Sequence, residues 1–325
     1  MLTLAEAAPA PARMAPRPAP ELSVVVPCYN ERANVGPLVA RLGAALAGIA
    51  WEVIFVDDSS PDGTAAEVLR LGAEDSRVRC IRRIGRRGLS SAVIEGALAS
   101  SAQYVAVMDG DLQHDETRLP AMLAPLRAGT ADLAVGSRHA EGGDAAGLGP
   151  AWRHRASELG IGVAQLFLPV RLSDPMSGFF ALPRPLFERL APRLTGAGFK
   201  ILLDIVLAAG KGLRVVEIPF VFRPRVAGES KLDVLVIVQF AALLLDKLSG
   251  GLLPLRFIAF ACVGAFGILV NLAVLGLLTK LGGLGFDLSQ GLATLVAMLA
   301  NFELNNRLTY RDQRLRGQRL WQGRV

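Results

Sequence analysis

Short unbroken apolar runs alternate along the first third of this chain with stretches whose apolar residues recur at helical spacing. LSVVVPCYNE, starting at Leu22, is a short apolar run closed by Pro and Asn, the pattern of a strand buried on both faces and ending in a loop. Residues 35–48 have helical spacing, WEVIFVDDSSPDGT is a second strand that ends in carboxylates, and 64–72 are again helical. The series predicts a further strand at 78–82, a helix from Gly88 to Ala99 and a strand from Tyr104 to Met108. Strands alternating with helices predict an α/β domain with a parallel sheet. Such sheets bind ligands beyond the carboxyl ends of their strands, which gathers Asn30, Glu31, Asp57, Asp58, Asp109 and Asp111 at one edge.

The flanks follow other patterns. Residues 1–21 are Ala- and Pro-rich, lack the continuous apolar core of a secretory signal, and predict a disordered tail. DVLVIVQFAALLLDKL, 233–248, is short for a bilayer crossing and carries Asp246 and Lys247, which suits a helix lying at the interface. Phe257 to Thr279 is an uncharged run of 23 residues, about 34 Å as a helix and enough to span the hydrocarbon. Residues 288–304 form a weaker second span. The segment after it carries six arginines, whereas KLGGLGFD between the spans has one lysine; the positive-inside rule makes the pair a hairpin with both ends cytosolic.

Composition agrees: 52% of the residues are hydrophobic, and 35 Lys and Arg stand against 29 Asp and Glu, a net charge of +6 that suits phosphates or anionic lipid. Cys28, Cys80 and Cys262 lie far apart in no ligand-like spacing, so reduced thiols are expected rather than a disulfide framework or a zinc site.

The densest chemistry is VAVMDGDLQHDE, 105–116, where Asp109, Asp111, Gln113, His114, Asp115 and Glu116 follow a buried strand. Neighbouring carboxylates repel unless a cation lies between them, and a hard divalent ion held by Asp, an amide oxygen and substrate phosphates is one solution. The spacing of Asp109, Asp111 and Gln113 turns three oxygens to one side if the segment is extended. The other solution is a solvated loop in which the acids serve as turn formers and helix caps. Residue types alone leave both open.

VVVPCYNE, VDDSSPDGT, MDGDLQHDE, GSRH, DPMSGFF and RVAGESKL, in this order across residues 22–232, resemble the polyprenyl-phosphate hexosyltransferases of glycosyltransferase family 2, and most closely the dolichol-phosphate mannosyltransferases. The resemblance implies a GT-A fold, a nucleotide-diphosphate sugar donor, a polyprenyl phosphate acceptor, and Mg²⁺ or Mn²⁺ on Asp109, Asp111 and Gln113. It assigns Pro27, Tyr29, Glu31, Asp57, Asp58, Arg87, Asp109 and Lys231 to the donor. Arg138, Arg153, Ser157, Asp174, Ser177 and Ser230 go to the acceptor phosphate, and Asp111, Arg138 and Arg225 to catalysis. Ser59 stands where the family often has Asn, and Gly110 where Ala is usual inside the D-x-D; both are small changes. An anionic acceptor needs no strong base, which fits a chain with three histidines, His114, His139 and His154, and no nucleophile triad.

RFIAFACVGAFGILVN and NFELNNRLTY resemble half of a GtrA-like membrane domain, for which anchoring is the role retained. The expected order is thus a tail (1–21), a GT-A domain (22–232), an interfacial helix (233–250), a transmembrane hairpin (251–306) and a basic cytosolic tail (307–325). The expected activity is inverting transfer of mannose from GDP-mannose to polyprenyl phosphate at the cytosolic face of the cell membrane, by a multi-pass protein, with homo-oligomerisation left open. A UDP-sugar donor is the alternative. A processive polysaccharide synthase would carry Q-x-x-R-W, which QRLW at Gln318 does not match. A non-enzymatic scaffold would not keep all three metal-site oxygens, and nucleic-acid binding lacks a stacking platform beside the arginines.

Overall fold

The computed structural model describes residues 19–140, 165, 168–196, 200–223, 255–280 and 282–308. Residues 22–219 contribute a seven-stranded sheet in the order β3-β2-β1-β4-β6-β5-β7. Its strands are β1 (Leu22–Cys28), β2 (Trp51–Asp57), β3 (Val78–Arg82), β4 (Tyr104–Val107), β5 (Leu133–Ser137), β6 (Phe180–Pro183) and β7 (Val215–Pro219). The helices are α1 (Arg32–Ala45), α2 (Thr64–Glu74), α3 (Leu89–Leu98), α4 (Leu119–Arg127), α5 (Arg184–Leu190) and α6 (Ile201–Ala209).

Alternation along β1 explains the two cores. Leu22, Val24, Val26 and Cys28 face a cluster that includes Leu38 and Leu42 of α1, Val68 of α2 and Met122 of α4. Val25 faces the opposite cluster, with Val93 of α3, Phe187 of α5 and Ile205 of α6. A strand buried on both sides is apolar at nearly every position; the exception, Ser23, is buried and donates its hydroxyl to Glu52.

Two expectations need correction. The sheet is mixed: β6 runs antiparallel to both β4 and β5, and its four residues are too few for periodicity to reveal direction. α1 begins at Arg32 rather than 35, since its first turn is polar, and its C-cap is Leu46, with Gly48 at φ 81° beyond. The other elements predicted within the sheet domain differ from those observed by a residue or two at their ends, and the helix expected at 288–304 runs from Phe286 to Leu308.

Register decides what stands at the edge. Cys28 of β1 pairs with Asp57 of β2, whereas β4 ends with Val107 beside Val25. The chain therefore leaves β4 below the rim of β1, and the D-x-D loop fills the space above it.

Two long helices follow, α7 (Leu255–Lys280) and α8 (Phe286–Leu308). Val263–Lys280 is long and apolar enough to cross a membrane, with mean hydropathy 1.8, and exposes Phe266, Ile268, Leu269, Leu272 and Leu277. α7 and α8 meet where Gly267 lies against Asn301, and Asn271 donates to Thr294 Oγ1 at 3.3 Å. Small residues that let helix backbones approach, with polar groups bonding across, are the usual adhesive of helices in lipid. The interfacial helix expected at 233–250 lies outside the described residues.

Helix α3 packs so tightly on the sheet that a Cβ at Gly96 would fall 2.4 Å from Val25 Cγ1 and 2.9 Å from Val56 Cγ2. Both neighbours are stiff β-branched side chains. Gly96→Val is expected to cost about 1–3 kcal/mol as overpacking, read as a lower thermal midpoint of the purified protein.

Candidate active site

Three loops close the carboxyl edge, and each contains a non-glycine residue at positive φ: Asn30 at 60°, Ser59 at 54° and Leu112 at 63°. Left-handed backbone is costly for L-residues, least so for Asn and more for Leu, and it persists where the surroundings over-determine it. Leu112 also shows that the D-x-D-x-Q segment is a turn and not an extended strand, so the expected one-sided alignment of three oxygens does not arise by strand alternation. What aligns the loop is its neighbours. Gly110 lies on β1, where an alanine Cβ would be 3.3 Å from Val26 Cγ1 and 3.7 Å from Glu31 Cγ. Gly178, of the MSG turn before β6, lies under Asp109, and a Cβ there would be 3.0 Å from its Oδ2.

His114 orders this loop from inside. Its Nδ1 accepts the Asp109 backbone N–H at 3.1 Å, and its ring stacks on Phe179 at 5.2 Å and meets Phe220 edge-on. Burial pushes the imidazole pKa down to about 4, Asp111 opposing and Arg138 reinforcing, so the ring is neutral and Nδ1 is free to accept. Gln113 donates its backbone N–H to Asp111 Oδ1 at 3.2 Å and its side-chain N–H to the Arg223 carbonyl at 2.9 Å. With the nitrogen end of the amide committed, its oxygen end is the one left to face a ligand. Asp111 is buried, and Asp109 is about one-third exposed (36%).

On the β1–β2 side the loops brace each other. Asn30 N–H donates to Ser60 Oγ, Glu31 N–H to Thr64 Oγ1 and Arg32 N–H to Asp62, at 2.9, 3.0 and 3.1 Å. Arg87 lies over the Tyr29 ring at 4.4 Å, so two residues assigned to the donor share one cation–π contact. Asp57 and Asp58 each have partners within the protein. Asp57 is wholly buried and accepts from the Ser60 backbone and hydroxyl; Asp58 accepts from Arg83 Nε at 2.7 Å and Gly88 N–H at 2.8 Å. Arg83 is itself buried, bonded also to Ser91 and the Gly88 carbonyl. The pair is a strut between β2, β3 and α3. In IRRIGRRG nothing separates Arg83 from its neighbours before the fold is known.

On the far side Arg138 meets Asp174 as a fork, Nε to Oδ2 at 2.7 Å and Nη2 to Oδ1 at 2.9 Å, and lies over the Phe222 ring at 5.1 Å. The Asp174 side chain has no exposure, so it positions Arg138 and does not face an acceptor. Ser177 likewise uses its hydroxyl internally, donating to the Gly136 carbonyl at 2.7 Å and accepting from Phe179 N–H at 3.1 Å. Glu217 of β7 supports the same turn by accepting from Ser173 N–H and Oγ, both at 2.8 Å. Lys200, ahead of α6, belongs to this neighbourhood: burial and Arg138 push its ammonium pKa down to about 8, against Asp174 and Asp109. Lys200, Glu217 and Arg223 stand outside the sequence motifs. Arg153, Ser157, Arg225, Ser230 and Lys231 lie outside the described residues.

A profile of glycosyl transferase family 2 matches residues 23–191, and one of the GtrA/DPMS transmembrane domain matches 259–324. The dolichol-phosphate mannosyltransferase of Pyrococcus furiosus is 38% identical over 298 residues, which cover 90% of this chain and 82% of that protein.

The chain belongs to glycosyltransferase family 2.

The dolichol-phosphate mannosyltransferase of Saccharomyces cerevisiae is also 38% identical, over 68% of this chain and 84% of the yeast protein. Among solved structures, glucosyl-3-phosphoglycerate synthase from Mycobacterium tuberculosis, in complex with Mn²⁺, uridine-diphosphate and phosphoglyceric acid, superposes with TM-score 0.55 at 21% identity, covering 70% of this chain and 78% of that one. That likeness shows the GT-A type of fold. This glycosyltransferase is therefore an α/β hexosyltransferase joined to a membrane domain, as its motifs implied.

Arg138 and Asp174 give a test. Burial alone would raise the Asp174 pKa, but the Arg138 fork outweighs it and holds the carboxyl below its usual range. A lowered folded pKa adds stability that is present above the unfolded value and lost as pH falls through the folded one. Asp174→Asn is expected to cost about 3–5 kcal/mol by leaving Arg138 unpaired. The stability gap to wild type should be constant above about pH 5 and narrow below about pH 4, measured by chemical unfolding across pH.

Proposed function

We propose that this glycosyltransferase moves mannose from GDP-mannose to the phosphate of a polyprenyl phosphate, with inversion at the anomeric carbon. The observation that carries the reading is the 38% identity to dolichol-phosphate mannosyltransferase across 90% of the chain. The D-x-D-x-Q loop packed on the MSG turn supports it.

The donor set suits a divalent cation. Asp109, Asp111 and the Gln113 amide supply hard oxygen ligands, and among the described residues no group of three or more His, Cys, Asp or Glu side chains could hold a metal alone. Asp109, Asp111 and Gln113 would hold the ion together with water and the donor's phosphate oxygens, as is usual for Mg²⁺ at nucleotides. When bound, Mg²⁺ or Mn²⁺ would offset the charge that grows on the departing diphosphate. The protein's own residues do the rest. His114 holds the Asp109 backbone, the stacked Tyr29 and Arg87 border the donor loops, and Arg138, braced by Asp174, keeps N–H donors for the acceptor phosphate. An acceptor oxygen attacks the anomeric carbon as the bond to the diphosphate oxygen breaks. The acceptor monoester is already ionised near neutrality, so no side chain has to remove a proton, which suits a site in which the buried His114 is neutral.

The same reading places the glycosyltransferase domain at 22–232 on the cytosolic face, the hairpin at 251–306 across the membrane and the basic 307–325 behind it. Arg225, Ser230 and Lys231 then close on the diphosphate or the acceptor, and Arg153 and Ser157 on the acceptor phosphate.

Detergent-solubilised protein with Mg²⁺ or Mn²⁺ and polyprenyl phosphate is expected to carry label from radiolabelled GDP-mannose into the organic phase. EDTA should abolish transfer, and Asp111→Ala should lower it by more than about 100-fold. Label from UDP-glucose or UDP-N-acetylglucosamine alone would replace the donor and keep the mechanism. No label from any donor would overturn the activity.

A further inference from the structure

Four carboxylates occupy residues 109–116, and the cation reading uses only Asp109 and Asp111. The other two meet Arg223: its Nη2 donates to Asp115 Oδ1 at 2.8 Å and its Nη1 to Glu116 Oε2 at 2.9 Å. The same residue clasps Gln113 with its main chain. Arg223 N–H donates to the Gln113 carbonyl, and the Arg223 carbonyl accepts Gln113 Nε2, both at 2.9 Å. Arg223 comes four residues after β7, while the D-x-D loop follows β4, three places across the sheet. One side chain thus ties two distant loops, and the tie ends on the amide whose oxygen would face the cation.

An amide side chain is symmetric in shape and opposite in chemistry at its two ends. Turned over, Gln113 would present N–H donors to a cation. Its orientation is set by a carbonyl that is itself held by the Arg223 fork. We propose that Arg223 is a positioning residue of the cation site, fixing the Gln113 amide through its main chain while its guanidinium anchors that main chain to Asp115 and Glu116. The proposal rests on the cation reading given above.

The test measures Mn²⁺ binding to the full-length protein in detergent, with GDP present, by the loss of free Mn²⁺ signal in electron paramagnetic resonance. Arg223→Met and the double variant Asp115→Asn/Glu116→Gln both break the fork, and they change the local charge in opposite senses. Positioning predicts that both weaken Mn²⁺ binding about 10- to 100-fold, the usual cost of losing an outer-shell partner. Combining them should add little, and Arg223→Lys should recover part of the loss. Shifts in opposite directions would mean that Arg223 acts by charge alone and would overturn the proposal. So would unchanged Mn²⁺ affinity with a lowered thermal midpoint, the mark of a merely structural role. Asp111→Ala separates the two levels: if it abolishes binding and the fork variants do not, only the Arg223 proposal fails. If wild type binds no Mn²⁺ with either GDP or UDP, the cation reading fails and takes this one with it.

Discussion

Carboxylates crowd the carboxyl edge of the sheet, among them Asp57, Asp58, Asp109, Asp111, Asp115, Glu116 and Asp174. Most are buried, and buried like charges repel unless each is given a donor or a counter-charge. The loops around the site are arranged by this requirement. Arg83 takes Asp58, Ser60 takes Asp57, Arg138 takes Asp174, and Arg223 takes Asp115 and Glu116. The three arginine arrangements each join segments that lie far apart in sequence, so neutralising those acids and assembling the edge are one process. Asp109 and Asp111 are the two that the proposed function gives to a cation, which fits a donor that arrives with its own negative charge.

Backbone strain follows from the same crowding. Asn30 and Ser59 take a left-handed conformation two residues past β1 and β2, and Leu112 does so within the D-x-D loop that follows β4, where the chain must turn to bring polar groups back over the rim. Ser59 keeps that turn by donating its hydroxyl to the Arg83 carbonyl at 2.7 Å. Serine at this position thus has a local reason, although asparagine accepts the left-handed region more readily.

How much of this was legible in the sequence varies with the kind of information needed. Buried parallel strands declare themselves as unbroken apolar runs, so β1 to β4 and the edge they share were readable, as was the long apolar helix α7. The antiparallel β6 was not, because four residues carry no direction. The acids were visible and their partners were not. Arg83 is one of several arginines in a basic run, and Arg223 lies just ahead of the motif that drew attention. Asp174 and Ser177 were recognised as motif residues and given to the acceptor, whereas their atoms are used in holding Arg138 and the turn before β6. A motif marks where a residue is needed; only the fold says whether it touches the ligand or the residue beside it.

The reversed strand has a consequence for how this fold can vary. Parallel strands deliver their last residues to the active edge, but β6, running the other way, delivers the residues that precede it, which is how Gly178 comes to lie beneath Asp109. Consecutive Phe179 and Phe180 pack into opposite cores. Inserting or deleting one residue between the MSG turn and Pro183 would exchange those two faces, withdraw the ring on which His114 stacks and shift the floor under the D-x-D loop in the same stroke. Length variation among such enzymes should therefore accumulate elsewhere, since here chemistry and core packing are read in a single frame.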